Sequence, residues 1–328
     1  MSRLARSPST RAGAFVVLAL VGFAALGPAV LPNDPFASDF VHGVAPDLRP
    51  VGPCLAFPLG ADHLFRDTLA RLALAGRLSL TIALAASAIA ALLGAAVGIV
   101  AGWHEGRPPR VPWTALAGVV ATFIALGEGS MAVAGSAALA SAFASLAFRR
   151  PSGPRIDVDG WLMRLVDALL AFPFLLLIMA VGAALEHTTV LTILLTLGAT
   201  GWLGIARLLR AKTMQVRALE FVEASRALGQ STPQILIRHV LPNVGGPLVV
   251  SATMLVAQMI VAESVLSYLG LGIAPPTPTW GRMLWEGQGD LATAPWLLLA
   301  PATAIVLAVW AFNMLGDGLR DALDPTHG

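Results

Sequence analysis

Lys212 is the only lysine in the chain, so it alone could serve a phosphate-binding loop of the Gly-x-x-x-x-Gly-Lys-Ser/Thr type. Thr213 follows it, but Ala211 and Ala206 stand where that loop needs glycines to bring backbone N–H groups against phosphate. The chain therefore carries no nucleotide loop of its own, and any energy from ATP must come from a partner. Cys54 is the single cysteine, which rules out an intramolecular disulfide and a cysteine-based metal cluster. No His/Asp/Glu or Ser/Lys constellation falls within the long apolar runs, so an intramembrane enzyme is not indicated, and neither a cofactor nor a resident metal is expected. Two acidic residues border such runs. Asp167 lies three residues after Arg164, which predicts a local pair at the membrane surface. Glu263 is either a functional intramembrane carboxylate or one close enough to the end of its run to reach water.

The elements around these residues are set by composition. Apolar residues make up 56% of 328 and charged ones only 12%, against roughly a quarter in an ordinary soluble domain. With mean hydropathy of +0.76, this is an all-α polytopic membrane protein. A net charge of +2 implies no nucleic-acid partner. Crossing a hydrocarbon core of roughly 30 Å takes about 20 apolar residues as a helix. Six runs qualify, over Ala12–Asn33, Leu78–His104, Trp161–Leu185, His187–Ala206, Asn243–Ala262 and Leu291–Gly316. The first follows Arg3, Arg6 and Arg11 and could also be a cleavable signal peptide, although its small-residue cleavage pattern is poor and the run is long. Pro173 interrupts the third and permits a kink, read as a hinge or as a static bend. With the N-terminus in the cytoplasm, 16 of the 21 basic residues lie inside and five, Arg49, Arg66, Arg71, Arg77 and Arg282, lie outside.

Between the fourth and fifth runs, residues 207–242 form a charged loop with internal order. Ala218 to Leu228, "ALEFVEASRAL", are good helix formers; Phe221, Ala224, Ser225 and Leu228 share one face, and Glu220, Glu223 and Ala227 another. Gly229 supplies the stop, Ser231 or Thr232 an N-cap and Pro233 a first-turn proline, so a second helix should run to about Val240 before "LPN" ends it. His239 reads as a helix-terminal residue facing the dipole.

Glu223-Ala224-Ser225, Gly229 and Leu241-Pro242 together resemble the EAA loop of permease subunits in ABC importers, with Ser225 in place of the second alanine. "FPLGADHLFRDTLARL" from Phe57, "LMRLVDALLAFP" from Leu162, "LSYLGLGIAPPTPTWGRML" from Leu266 and "AFNMLGDGLRDALDP" from Ala311 are similar to one branch, the second permease subunit of dipeptide, oligopeptide and nickel importers. Phe65 stands where that branch usually has glycine. The resemblance implies a MetI-like helical core of the type I importers and a non-catalytic pore subunit in a bacterial inner membrane, driven through alternating access. Its partners would be a second permease, two ATP-binding-cassette ATPase subunits, an extracytoplasmic solute-binding protein and membrane lipid. It further implies that the loop docks into an ATPase cleft through Glu220, Phe221, Glu223, Ala224, Ser225, Ala227, Leu228 and Gly229. Peptide is the favoured cargo and nickel the alternative; a secondary transporter fits less well, because the middles of the runs carry no charge.

The expected organisation is a tail and first span over 1–33, an outer segment over 34–77 and a permease core over 78–325. Within the core, 105–160 is an insert relative to that branch. Val111 to Phe148 carries one charge, Glu128, and as a single helix would run about 57 Å, nearly twice the hydrocarbon thickness. Two spans turning at "GEGS" fit better, giving eight in all with Glu128 outside; a re-entrant hairpin or an Ala-rich amphipathic mass on the inner face are the alternatives. "APPTPTWG", Ala274 to Gly281, should be an extended outer segment near the binding-protein dock, with Trp280 as an interfacial anchor.

Overall fold

A computed structural model of the chain describes residues 8–106, 155, 157–184 and 189–323. Among these, every regular element is helical: α1 (Pro8–Val30), α2 (Thr68–His104), α3 (Val158–Leu170), α4 (Phe174–Ala183), α5 (Val190–Gly201), α6 (Leu203–Arg217), α7 (Glu220–Ala227), α8 (Thr232–Ile235), α9 (Leu241–Tyr268), α10 (Trp280–Gly287) and α11 (Trp296–Leu323). A π-helical turn over Leu236–Val240 joins α8 to α9. Five stretches are long and apolar enough to cross a membrane: Thr10–Val30, Thr68–His104, Val190–Arg217, Thr232–Tyr268 and Trp296–Leu323. The pair α3 and α4 passes the same test only when taken together as one broken or re-entrant segment, and it is bent by 87° at its break. These coincide with the six apolar runs of the sequence. The inserted hairpin over 111–148, its turn at Glu128 and the eight-span count lie outside the described residues.

Helix α2 is the centre of the bundle, packed against α1, α5, α6 and α9. Its contact with α6 runs along a seam of glycines four residues apart. A Cβ on Gly94 would stand 2.8 Å from the Ile205 Cβ, one on Gly98 2.5 Å from the Ala206 carbonyl oxygen, and one on Gly102 2.5 Å from that of Arg210. Small residues at this spacing let two backbones touch, which is how helices associate where lipid supplies no hydrophobic drive. Ile82, Ala86, Ala90, Leu197, Leu209, Met259 and Ile260 complete the buried core. Phe15, Leu18, Leu92, Leu299 and Val306 point outward, as they can where the solvent is hydrocarbon.

Three boundaries differ from expectation. Helix α2 begins at Thr68 rather than near Leu78, because the Asp67 carboxylate caps it by accepting from the N–H groups of Leu69 and Ala70. Helix α6 runs on to Arg217, so the connecting loop is shorter than 207–242. "LPN" does not end the helix before it: Pro242 cannot donate to the Arg238 carbonyl, and the chain adapts by widening to a π turn, with Leu241 N–H bonded to Leu236 O. The Asn243 side-chain amide donates to the His239 carbonyl at 2.7 Å, and the helix continues into α9.

Candidate functional site

Helix α7 stands at one end of the bundle on a frame that fixes its position. The Arg217 guanidinium donates to the carbonyls of Trp103 and Glu105, both at 2.8 Å, and to the Glu105 carboxylate at 2.9 Å, tying the start of the loop to the end of α2. The Arg226 guanidinium lies over the Trp103 ring, 5.0 Å from its centroid, a cation–π contact that fastens the other end of α7 to the same residue. Glu220 and Glu223 occupy the first turn and Arg226 the last, matching the helix dipole.

The exit from α7 is a Schellman turn. Gly229 has φ of +80°, its N–H bonds to the Arg226 carbonyl at 3.0 Å, and the Gln230 N–H bonds to the Ser225 carbonyl at 3.2 Å. Nothing lies within 4 Å of a Cβ placed on Gly229, so glycine is required there by backbone conformation and not by space. Ser231 then caps α8 in a reciprocal box with Gln234, and Pro233 takes a first-turn position as expected.

The faces of α7 are not those of its hydrophobic periodicity. Val222 and Ser225 turn inward, while Phe221, Ala224, Ala227, Leu228 and Gly229 are exposed with Glu220 and Glu223; Leu228 is 82% exposed. The periodicity placed Phe221, Ala224 and Leu228 with Ser225 on one face; the structure turns Ser225 inward and leaves Ala224 and Leu228 exposed, with Phe221 covered on one side by the His239 ring. Ser225 serves instead as a strut. Its hydroxyl donates to the Phe221 carbonyl at 2.8 Å and lies 3.2 Å from His239 Nε2. The His239 ring packs on Phe221 at 5.8 Å, so this histidine braces α7 and does not face a helix end. Sequence reasoning missed the whole clamp of Trp103, Glu105, Arg217, Arg226 and His239, since each partner is distant in the chain.

The opposite end of α2 holds a second ordered region. Asp62 pairs with Arg66 at 2.8 Å and Arg71 at 3.2 Å; Glu286 pairs with Arg71 at 2.8 Å and Arg282 at 3.2 Å. Arg66 and Arg71 are therefore paired locally, which offsets part of the cost of burying their charge. Glu263 does not reach water. It is 0% exposed and accepts hydroxyls from Ser79 on α2 at 2.9 Å, from Ser267 at 2.7 Å and from Thr279. Trp280 is no interfacial anchor: it is buried against Gly76, with its ring N–H on the Leu72 carbonyl. Residues 274–279 are irregular and turn at Pro275-Pro276, and Trp280 and Gly281 open α10, so the segment does not run extended throughout. Asp167 pairs with Arg207 of α6, and Arg164 lies over the Trp161 ring, so the expected Arg164–Asp167 pair does not form.

Apolar spans with one exposed amphipathic helix fastened at one end of the bundle define a polytopic membrane protein. Residues 138–327 match the family described as binding-protein-dependent transport system inner membrane component. The chain is 43% identical over 168 residues to the oligopeptide transport system permease protein OppC of Salmonella typhimurium, a match covering 51% of this chain and 55% of that protein. It is 32% identical over 266 residues to OppC of Haemophilus influenzae (81% of this chain, 69% of the relative). It is also 32% identical over 278 residues to the glutathione transport system permease protein GsiD of Pectobacterium atrosepticum (84% and 74%). The chain belongs to the binding-protein-dependent transport inner membrane components, the permeases of ABC importers, with a MetI-like helical core. Its relatives lie in the peptide branch. The match spans about half the length of the Salmonella relative.

Proposed function

We propose that the chain is a pore subunit of an ATP-driven importer of di- and oligopeptides, and that α7 is the helix through which an ATPase subunit moves it. The observation that carries this is the exposed apolar surface of Ala224 and Leu228 with the half-exposed Phe221, flanked by Glu220 and Glu223 and held from behind by Val222, Ser225 and His239. A small-faced helix mounted this rigidly suits a groove on a partner and passes on rigid-body motion without bending. The partners are a second permease, two ATP-binding-cassette ATPases and an extracytoplasmic solute-binding protein; the N-terminus and α7 face the cytoplasm, in keeping with the 16 to 5 distribution of basic residues. Peptide is preferred to nickel because the relatives are named for oligopeptide and for glutathione, itself a tripeptide. The cycle is alternating access, with the chemistry of ATP confined to the partners.

The test is uptake by cells carrying Glu223→Ala, Leu228→Asp or Gly229→Trp. Loss of part of a contact hot spot costs upward of ~1–2 kcal/mol, so ATPase co-purification should fall severalfold or more and uptake with it, while the variants still insert. Wild-type co-purification and uptake for all three would overturn the assignment of α7.

A further inference from the structure

We infer that α3 lies along the bilayer surface, with the stripe Trp161, Arg164, Leu165 and Ala168 turned to phospholipid headgroups. The first observation is the bend. Helix α4 consists of ten residues without a charge, packs against α5 and exposes Leu175 and Leu176, so it belongs in the hydrocarbon. A helix bent by 87° from it at Pro173 cannot share its direction through the membrane.

The second observation is how the residues of α3 are apportioned. Trp161, Arg164, Leu165 and Ala168 are exposed at i, i+3, i+4 and i+7, one continuous edge of the helix, with Trp161 65% exposed. The other edge is fixed to α6. Val166 is buried with Leu203 and Ala206, Asp159 receives the Arg210 guanidinium on both oxygens, and Asp167 receives Arg207. Both carboxylates are thus drawn toward arginines of the bundle, and the only charge on the free edge is the Arg164 cation. Tryptophan and arginine are the side chains that settle at the headgroup level, the indole by its amphipathic ring and the guanidinium by reaching phosphate along an apolar stem. A free edge made of one of each, with leucine and alanine between them, is suited to the phosphate plane and not to the hydrocarbon centre, where an unpaired arginine is costly. The occupant is therefore the phospholipid surface.

Depth measurement decides this. In a Cys54→Ser background, Trp161→Cys, Arg164→Cys, Leu165→Cys and Ala168→Cys each take a nitroxide label, as does Leu176→Cys on α4. The full chain is reconstituted in bilayers of phosphatidylethanolamine and phosphatidylglycerol, and depth is read from relaxation by oxygen against a water-soluble nickel chelate. The four α3 labels should lie within about 3 Å of one another at the headgroup level, with position 176 well below them. If α3 crosses the membrane, depth will change by about 10 Å from 161 to 168, seven residues at 1.5 Å each, and the inference fails. Low collision rates with both reagents at all four positions would show that protein covers this edge, which also overturns it. Four separate labels keep the outcome decisive when any one of them perturbs the helix.

Discussion

Phe65 shows what one residue can be asked to tolerate. It has φ of +57° in the turn closed by Phe65 N–H to Asp62 O at 2.8 Å and Asp62 N–H to Arg66 O at 2.9 Å. An L side chain there costs on the order of 1–2 kcal/mol, yet the position that glycine usually takes in this branch keeps its tight turn. The ring contributes in return, meeting Phe40 edge to face at 5.5 Å, a contact of about 0.5–1.5 kcal/mol. Alanine loses the ring and keeps the strain, whereas glycine loses the ring and relieves it. Phe65→Gly should therefore be more stable than Phe65→Ala by about 1 kcal/mol, the reverse of the order found inside a helix, and thermal unfolding of the two variants in detergent checks it. Trp280 teaches the complementary lesson about reading residues. A tryptophan beside prolines looks like an anchor for the interface, but Gly76, a single missing Cβ in the apolar run of α2, opens the slot that buries it.

At the scale of elements, apolar length was the legible quantity. The five long spans among the described residues could be placed from apolar runs, because lipid imposes that length on any helix that crosses it. Helix α7 could be placed too, from its helix formers and the glycine after them. What periodicity could not give was which face looks inward, since it assumes that apolar residues are covered by the same chain; on a helix that presents Phe221 and Leu228 outward, the assumption fails. The pairing of α2 with α6 was likewise present as Gly94, Gly98 and Gly102, a signal that marks a close contact without naming the other helix. That contact has a measurable cost if widened. A methyl group at Gly98 meets the Ala206 carbonyl oxygen at 2.5 Å, against backbone that cannot move alone. Gly98→Ala should destabilise by about 1–3 kcal/mol. Gly22→Ala, on α1 where nothing lies within 4 Å, should be neutral or stabilising by up to about 1 kcal/mol, because alanine is the better helix former. Equal unfolding midpoints for the two variants would contradict the seam.

For the molecule as a whole, the clamp around Trp103 and the charged cluster around Arg71 could not be foreseen. Glu105 and Arg217, or Arg71 and Glu286, are more than a hundred residues apart, and only the folded chain brings them together. The sequence offers a single lysine for a nucleotide loop, and under the proposed function the chemistry of ATP falls to partner subunits. Lys212 donates to Gln215 at 3.3 Å on its own helix, in no glycine-rich loop. The purified chain should show no saturable ATP binding, and Lys212→Ala should alter nothing in that measurement; binding that disappears in the variant would refute it. One feature of the architecture bears on how distant ends communicate. Helix α2 has 37 residues, about 55 Å of unbroken hydrogen-bonded backbone, and so outreaches a hydrocarbon layer of roughly 30 Å. Its last turn carries the Trp103 clamp under α7, and its first carries Arg71 against Glu286. A rigid rod of that length that tilted by about 5° would shift one tip about 5 Å relative to the other, and because the glycine seam holds α2 near its Trp103 end, most of that displacement would fall at the Arg71 end.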